Sequence, residues 1–413
     1  MGITYNPRTV TDGLSLAFDA GNTKSFSPNV FPRGTDIYGW YVDTRGNATA
    51  VNSTLSRDTI SSPVGNIPLK MQVTGNDPYL VSYNTAAWNL AAASSGDTWT
   101  VSFYVKASQN TTGEVLLFES NGTTYYNIPN TTYNITTSWQ RISFTGTFSN
   151  ANTTVIQLRL DGPNSGGSGT TVWWDGLQLE RGSTASEFTK NYTLDSSLNY
   201  RTLDLTRNGN NGTLTNMDGG NLNTSNGGSL TFDGTNDHIS AGALSGSFTS
   251  FTVIVWFYPT SVTNHENPID CNYSYNGTTG NIGPRLEMNN SGTLAWVYSN
   301  ITNSNSSYYN HGVVSSGLAA NTWHCAAITY NGGTNTSTTY FNGNASGLSR
   351  STVGSPTGFI GVMNNVTIGK GFHLGGSERI FTGRVSNVSI YNKALSASEV
   401  QQNFNALRGR YGI

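Results

Sequence analysis

The chain has 413 residues, a formal net charge of −2 and only 11% charged residues, against about 25% in an average soluble domain. A chain this close to neutral can release few phosphate counterions, which disfavours nucleic-acid binding. Its 11% aromatic content excludes intrinsic disorder, because disordered chains are poor in aromatic residues. The longest apolar run, near residues 251–258, is far shorter than the roughly 20 residues of a membrane span.

Chain length and cysteine content also limit the number of domains and of disulfide bonds. A chain of this length predicts two domains. Residues 1–6 include no basic region and no apolar stretch, so no secretory signal is expected. Cys271 and Cys325 are too few for a disulfide framework. We expect two free thiols, with a single bridge as the alternative.

In chain order, period-2 alternation predicts strands almost throughout. In the first half these cover residues 99–106, 113–119, 139–148, 155–160 and 171–179. In the second half they cover residues 228–232, 250–258, 285–288, 293–298, 323–330, 338–341, 365–368 and 384–391. One helix is predicted at the end, where Ser396 and Glu399 form a capping box. The pattern predicts an all-β fold of two antiparallel sandwiches, or jelly rolls.

The second half contains six segments in a recognisable order. They are Ser229–Asp237, Phe251–Phe257, Trp323–Tyr330, Tyr340–Gly343, Val366–Gly369 and Phe381–Ser396. This succession resembles the laminin-G/concanavalin-A-like lectin jelly roll over about residues 200–410. The resemblance implies a β-sandwich with a sugar-binding capacity.

The first half resembles a different family. Asn29–Phe31 opens the segment, Trp99–Lys106 and Ser138–Ser143 lie inside it, and Val172–Ser183 closes it. This set is similar to the carbohydrate-binding-module jelly rolls found as appendages in phage structural proteins. It implies a second β-sandwich that binds glycans.

The lectin-like motif is split in the sequence. Asp12–Lys24 resembles the opening strand of phage lectin-like domains, and its usual continuation resembles Leu203–Thr215. We therefore expect residues 1–26 to form an arm and the first strand of the second domain. Residues 27–190 then form an inserted first domain, and residues 191–413 form the rest of the second. A plain N-terminal arm is the alternative.

Catalytic patterns are missing from the sequence. The glutamates never form the Glu-x-Asp-x-Glu strand of β-glucan hydrolases, whose chemistry needs two closely placed carboxylates. His324 and Cys325 are adjacent on a strand and point to opposite faces, so they cannot act as a base and nucleophile pair. The sequence therefore predicts a protein that is not an enzyme, and a polysaccharide depolymerase is disfavoured.

Sugar recognition needs aromatic faces beside amide or carboxylate groups. In the second domain, strand alternation suggests a concave face holding Trp256, Arg285, Glu287, Trp296 and Tyr298. The alternative is that Trp256 and Trp296 belong to the core. In the first domain the candidates are Trp40, Trp88 and Trp174. Trp173 and Trp174 must point to opposite faces, so one of them is core.

A structural calcium ion is a further expectation. Carbohydrate-binding jelly rolls often hold Ca²⁺ through an Asp on the last strand, and the resemblance places that residue at Asp175. Backbone carbonyls would complete the shell of 6–8 oxygen ligands. An Asp that only accepts a hydrogen bond from a turn amide is the alternative.

Together the two resemblances imply a virion surface protein of a tailed bacteriophage, made in the bacterial cytoplasm, that displays glycan-binding domains. Its expected partners are other virion proteins and host cell-surface glycans, and it is expected as a homo-oligomer or in many copies per particle. A head-decoration or fibre protein without glycan affinity is the alternative.

Overall fold

The structure is a computed structural model of the full chain. It describes residues 8–22, 25, 49–64, 68–81, 91–163, 167–188, 201–206, 208–217, 221–271, 283–299, 307–359, 361–373 and 377–413. The predicted site residues Trp40 and Trp88 lie outside these described residues.

The regular secondary structure of the described residues is mostly β-strand, with one α-helix, which confirms the predicted fold class. The strands to the end of the first half are β1 (Leu14–Asp19), β2 (Thr49–Val51), β3 (Ser53–Arg57), β4 (Leu69–Val73), β5 (Tyr79–Val81), β6 (Ala91–Ala92), β7 (Thr98–Ala107), β8 (Thr111–Ser120), β9 (Asn130–Ile135), β10 (Gln140–Thr147), β11 (Val155–Asp161) and β12 (Thr171–Arg181). They continue with β13 (Arg201–Thr202), β14 (Gly212–Thr215), β15 (Leu222–Asn223), β16 (Ser229–Asp233), β17 (His238–Gly242), β18 (Phe251–Pro259), β19 (Glu266–Asp270), β20 (Arg285–Met288) and β21 (Leu294–Tyr298). The last are β22 (Tyr308–Val314), β23 (His324–Asn331), β24 (Thr336–Phe341), β25 (Asn344–Ala345), β26 (Arg350–Val353), β27 (Val366–Ile368), β28 (Lys370–His373), β29 (Ser377–Ile380) and β30 (Thr382–Tyr391), followed by helix α1 (Ala397–Tyr411).

The chain divides into two compact units. One comprises residues 1–26 together with 200–413, and is called the split unit here; the other comprises residues 27–199, and is called the inserted unit. Both thiols lie in the split unit, and Cys271 and Cys325 are free and buried, as the cysteine count predicts.

The split unit contains two large antiparallel sheets. One has the strand order β15-β16-β30-β18-β23-β24-β25, with β1 also paired to β30. The other runs β13-β14-β17-β27-β19-β20-β21-β22-β26. The inner faces of the sheets form the core, which includes Phe251, Val253 and Trp296 at 0% exposure. This is the arrangement of a β-sandwich.

The first strand of the chain belongs to the split unit. Leu14–Asp19 pairs antiparallel with residues 387–391 of β30. At the point where the chain leaves the unit, the Ser25 hydroxyl donates to the Leu203 carbonyl at 2.7 Å. The Leu203 N–H donates back to the Ser25 carbonyl. The two crossing points of the chain are thus joined, which is the geometry that insertion of a domain after a first strand requires.

Helix α1 covers one face of the first sheet. Its capping box is present, with the Ser396 side chain accepting from the Glu399 N–H. Val400 and Phe404 are buried against a cluster of the sheet that includes Trp256, Trp323 and Tyr340. Leu407 packs at the edge of this cluster. The apolar side of the helix is therefore used within its own unit.

Residues 8–10 are held by hydrogen bonds to this helix and to Tyr391 of β30. The Val10 N–H donates to Asn403 Oδ1 at 2.7 Å, and the Tyr391 hydroxyl donates to the Val10 carbonyl at 2.9 Å. The Gln402 amide donates to the Arg8 carbonyl at 2.7 Å. Residues 8–10 are therefore part of the folded unit, and residues 1–7 lie outside the described residues.

The inserted unit also consists of two antiparallel sheets. The first has the order β10-β7-β12-β4-β3, and the second has the order β2-β5-β11-β8-β9 with β6 also paired to β11. On β7 the side chains of Trp99, Val101, Phe103 and Val105 are fully buried. The alternate positions Tyr104 and Lys106 are half-buried, so one face of this sheet is outward.

Candidate functional site

The five residues predicted for one concave face of the split unit do not share a face. Trp256 lies on β18, in the first sheet, whereas Arg285 and Glu287 lie on β20 in the second. The Trp256 indole is 1% exposed and stacks on Phe404 and Tyr411 of α1, with ring centroids 5.4 and 4.4 Å apart. Because the helix covers this sheet, Trp256 is a core residue and the prediction of a ligand role is wrong.

Trp296 and Tyr298 are also core residues, because the pairing register of β20 and β21 turns them inward. In the hairpin of β20 and β21, Arg285 lies opposite Val297 and Leu286 lies opposite Trp296. Trp296 therefore shares the inward face of Leu286, not the face of Arg285 as predicted. Trp296 and Tyr298 are both 0% exposed, and the Tyr298 hydroxyl is bonded inside the unit to Ser337 Oγ at 2.8 Å.

Arg285 and Glu287 do lie together on the outer face of the second sheet. Arg285 is 3% exposed and its Nε donates to Glu287 Oε1 at 2.6 Å, while Arg379 lies 3.4 Å from Glu287 Oε2. Burial lowers the pKa of Arg379. The Glu287 carboxylate is thus held by two guanidinium groups.

Glu287 lies at one side of an open groove of about 330 Å³ on this face. Other lining residues include Asn289, Ala295, Asn310 and Ser351. Of the described residues that line the groove, none is aromatic. It can therefore supply hydrogen bonds to a polar ligand but no ring for a sugar to stack on.

In the inserted unit, Trp174 was predicted as a ligand residue, but it is the buried member of the pair Trp173 and Trp174. Trp174 is 0% exposed, and its Nε1–H lies 3.2 Å from the Tyr133 hydroxyl in the core. The prediction of a ligand role for Trp174 is wrong. Trp173 points to the opposite face and is half-buried. Nothing in the local sequence decides which of the two is outward, because Asp175, the neighbour of Trp173 on the same face, is itself 0% exposed.

Trp173 belongs to a row of side chains across the outward face of the first sheet of this unit. On neighbouring strands Trp173 lies opposite Lys106 of β7 and opposite Lys70 of β4. The Lys106 ammonium lies 5.0 Å from the centroid of the Trp173 ring and 5.5 Å from that of Trp139, just before β10. We call Trp139, Lys106, Trp173 and Lys70 the tryptophan strip.

Both indole rings of the tryptophan strip are fixed by hydrogen bonds to one chain segment. Trp173 Nε1–H donates to Asp58 Oδ2 at 2.8 Å, and Trp139 Nε1–H donates to the Ser61 carbonyl at 3.0 Å. The bond from Trp173 lowers the pKa of Asp58. Because Trp139 and Trp173 stand two strands apart, their backbones are separated by about 10 Å. Because both rings are fixed by hydrogen bonds, they form a rigid pair, and the Lys106 ammonium lies between them.

Asp175 lies next to this strip and is 0% exposed. The Ser62 hydroxyl donates to its Oδ2, and the Gly176 N–H donates to its Oδ1 at 2.8 Å. Both oxygens thus accept protein donors, which is the pattern of a carboxylate that fixes a turn. Among the described residues, no group of three or more His, Cys, Asp or Glu side chains could hold a metal ion. These hydrogen bonds favour the turn-fixing role of Asp175, and calcium binding there stays a prediction.

Two family models match the chain, one in each unit. Residues 233–401 match the concanavalin A-like lectin/glucanases superfamily, and residues 68–166 match a carbohydrate binding domain. Residues 233–401 of the split unit are thus similar to the first family, and residues 68–166 of the inserted unit are similar to the second. Lys70, Lys106 and Trp139 of the tryptophan strip lie within the second match, and Trp173 lies just beyond its end.

Solved structures show similarity at low identity. Domain 4 of an extracellular arabinanase from Geobacillus stearothermophilus, in complex with arabinotriose, is 20% identical, with a TM-score of 0.35 over 48% of this chain and 91% of that one. A heptameric pentraxin from Limulus polyphemus is 16% identical, with a TM-score of 0.28 over 41% of this chain and 78% of that one. No curated protein matches the sequence. In the part of the chain that the structure describes, no helix has the length and hydropathy of a membrane span.

Proposed function

We propose that the protein is a non-enzymatic glycan-binding protein and that the tryptophan strip is its principal binding surface. The observation that carries this proposal is the pair of half-buried indoles, Trp139 and Trp173, on the outward face of a carbohydrate-binding-type domain. Aromatic faces cover the apolar faces of sugar rings, and nearby polar groups bond to the hydroxyls. The Lys106 ammonium, between the two rings, supplies such a polar group.

The expected affinity of one such surface is low. A sugar stacked on one ring gains about 1–2 kcal/mol from buried apolar area, at roughly 25 cal/mol per Å². A millimolar dissociation constant corresponds to about −4 kcal/mol. Adhesion would therefore require many copies, since linked sites raise avidity about 10²–10⁴-fold without new contacts.

Removing either indole should abolish most of this binding. We expect Trp173→Ala and Trp139→Ala each to weaken binding by about tenfold, as the loss of 1–2 kcal/mol requires. The measurement is a glycan array followed by calorimetric titration of the best glycan. Tyr126→Ala is the matched control, because Tyr126 is a half-buried aromatic in the same unit, beyond the end of β8 and away from the strip. It should bind like the unaltered protein.

Equal losses in all three variants would mean that binding does not depend on the strip. Unchanged binding in both tryptophan variants would show that the glycan site lies elsewhere. The groove beside Glu287 would then be the first surface to test. Release of new reducing ends from a bound polysaccharide would contradict the non-enzymatic part of the proposal.

We further propose that these surfaces are displayed on the virion of a tailed bacteriophage, assembled in the host cytoplasm. The support is the resemblance of the first half to appendages of phage structural proteins, together with the low expected affinity of one site. On a particle the protein would be present in many copies and would contact other capsid or tail proteins.

The N-terminal residues are the proposed attachment segment. From sequence alone, deletion of residues 1–10 is expected to prevent incorporation and to leave thermal unfolding unchanged. The hydrogen bonds of Val10 to Asn403 and Tyr391 contradict the second half of that expectation.

Deletion of residues 1–7 is the cleaner variant. It should prevent incorporation into particles. Because it keeps the hydrogen bonds of Arg8 and Val10, the unfolding midpoint should stay within about 2 °C, the equivalent of about 0.5 kcal/mol for a unit of this size. Normal incorporation of this variant would contradict the attachment proposal.

A further inference from the structure

We propose that the tryptophan strip selects acidic glycans, in which a carboxylate or sulfate of the sugar pairs with the Lys106 ammonium. This inference rests on the proposed function, because it names the ligand class of the same surface.

Lys106 is positioned as a cation without a counter-charge. Its ammonium lies between the rings of Trp139 and Trp173, at 5.5 and 5.0 Å from their centroids. Among the described residues, no carboxylate oxygen lies within 4.0 Å of it. The two indoles attract the charge through their π-faces, but neither neutralises it.

Among the described residues, the other charged groups near Lys106 on this face already have polar partners. Lys70 lies 3.7 Å from Asp58, which also accepts hydrogen bonds from the Trp173 indole and from the Thr59 N–H. Arg141 donates to Ser102 Oγ at 2.9 Å and to the Ser186 carbonyl at 2.6 Å. Asp175 is covered by Ser62 and has no exposed surface.

A sugar stacked on either indole would therefore reach a positive centre. A neutral sugar offers this ammonium only hydroxyl oxygens and removes some of its water, which is unfavourable without a counter-charge. A carboxylate or sulfate offers a charge-assisted hydrogen bond, which is about twice as strong as a neutral one. We expect acidic glycans to bind about tenfold more tightly than neutral counterparts of the same backbone, the ratio that such a bond typically supports.

The test uses the full-length protein on an array of uronic-acid and sialic-acid oligosaccharides, each printed beside its carboxyl-reduced form. The unaltered protein should prefer the acidic member of each bound pair by about tenfold. Lys106→Met keeps the length and apolar stem of the side chain, and should bring the binding of each acidic member down to that of its carboxyl-reduced form. Lys106→Arg keeps the charge and should keep the preference. Raising sodium chloride from 0.05 to 0.5 M should reduce the preference of the unaltered protein, because salt screens exposed charges.

Three results would overturn the inference. Equal or tighter binding of the carboxyl-reduced forms would show that the strip binds glycans without charge selection, leaving the proposed function intact. An acid preference that persists in Lys106→Met would assign the selection to another cation. No binding to either member of any pair, with Trp173→Ala indistinguishable from the unaltered protein, would overturn the proposed function and this inference together.

Discussion

Trp296→Ala is expected to destabilise the split unit by about 3–5 kcal/mol, as replacement of a core aromatic residue typically does. Trp296 is 0% exposed and faces inward, opposite Leu286 of β20 and His311 of β22. The resulting cavity lies between the two sheets, where the backbone of the paired strands limits collapse. For a unit of this size, the loss corresponds to a fall in the unfolding midpoint of about 6–20 °C.

The measurement is calorimetric unfolding of Trp296→Ala beside Trp173→Ala, which makes the same substitution on an outward face. The two variants should behave in opposite ways. Trp296→Ala should lose stability and keep glycan binding at a temperature where it remains folded, and Trp173→Ala should lose binding with a nearly unchanged midpoint. An unchanged midpoint with lost binding in Trp296→Ala would place that ring on a ligand surface and contradict the register described above.

Asp204→Ala is expected to destabilise the same unit by about 2–3 kcal/mol, since hydrogen bonds to charged groups are the stronger ones. Asp204 Oδ1 accepts from the N–H groups of Ala17 and Thr206, both at 3.0 Å. Its Oδ2 accepts from the Thr206 hydroxyl at 2.6 Å and from the Asn210 N–H at 3.1 Å. Ala17 is 187 positions away in sequence, so this carboxylate fastens the first strand to the segment that follows the inserted unit.

Chemical denaturation followed by circular dichroism tests this role. Asp204→Asn is the matched variant, because it keeps one carbonyl oxygen as an acceptor and should lose about half as much. A loss below about 0.5 kcal/mol in Asp204→Ala, the range of ordinary surface substitutions, would show that this carboxylate does not hold β1 in place. The pairing with β30 and the bonds from Asn208 and Asn210 to the Ser15 carbonyl would then suffice.

The elements of the fold could be predicted well from the sequence, because each depends on local patterns. Alternation places a strand at residues 99–106, and β7 spans Thr98–Ala107. The capping box at Ser396 begins a helix that runs to Tyr411. The split motif of the lectin-like domain also indicated where the strand Leu14–Asp19 pairs.

The faces of those strands could not be predicted to the same extent. Strand β18 is buried on both sides, and alternation cannot distinguish an inner face from one covered by a helix. In the β20–β21 hairpin the face of Trp296 depends on the length of the connection, since a shift of one residue moves every side chain to the other face. The predicted site grouped Arg285 with Trp296 because that register was not fixed.

The tryptophan strip itself could be predicted only in part. Trp173 and Trp174 were correctly placed on opposite faces, but nothing local decided which was outward. Trp139 and Lys106 come together with Trp173 only through the strand order β10-β7-β12. Such long-range strand pairing cannot be predicted from the sequence of any one segment.

The most direct test is an NMR titration that follows the indole N–H signals, assigned by Trp-to-Phe variants, as the best glycan from the array is added. If the tryptophan strip is the binding surface, the signals of Trp139 and Trp173 should shift with a common binding curve, while those of Trp174, Trp256 and Trp296 should stay in place. Shifts confined to other indoles, with Trp139 and Trp173 unmoved at saturation, would contradict the assignment.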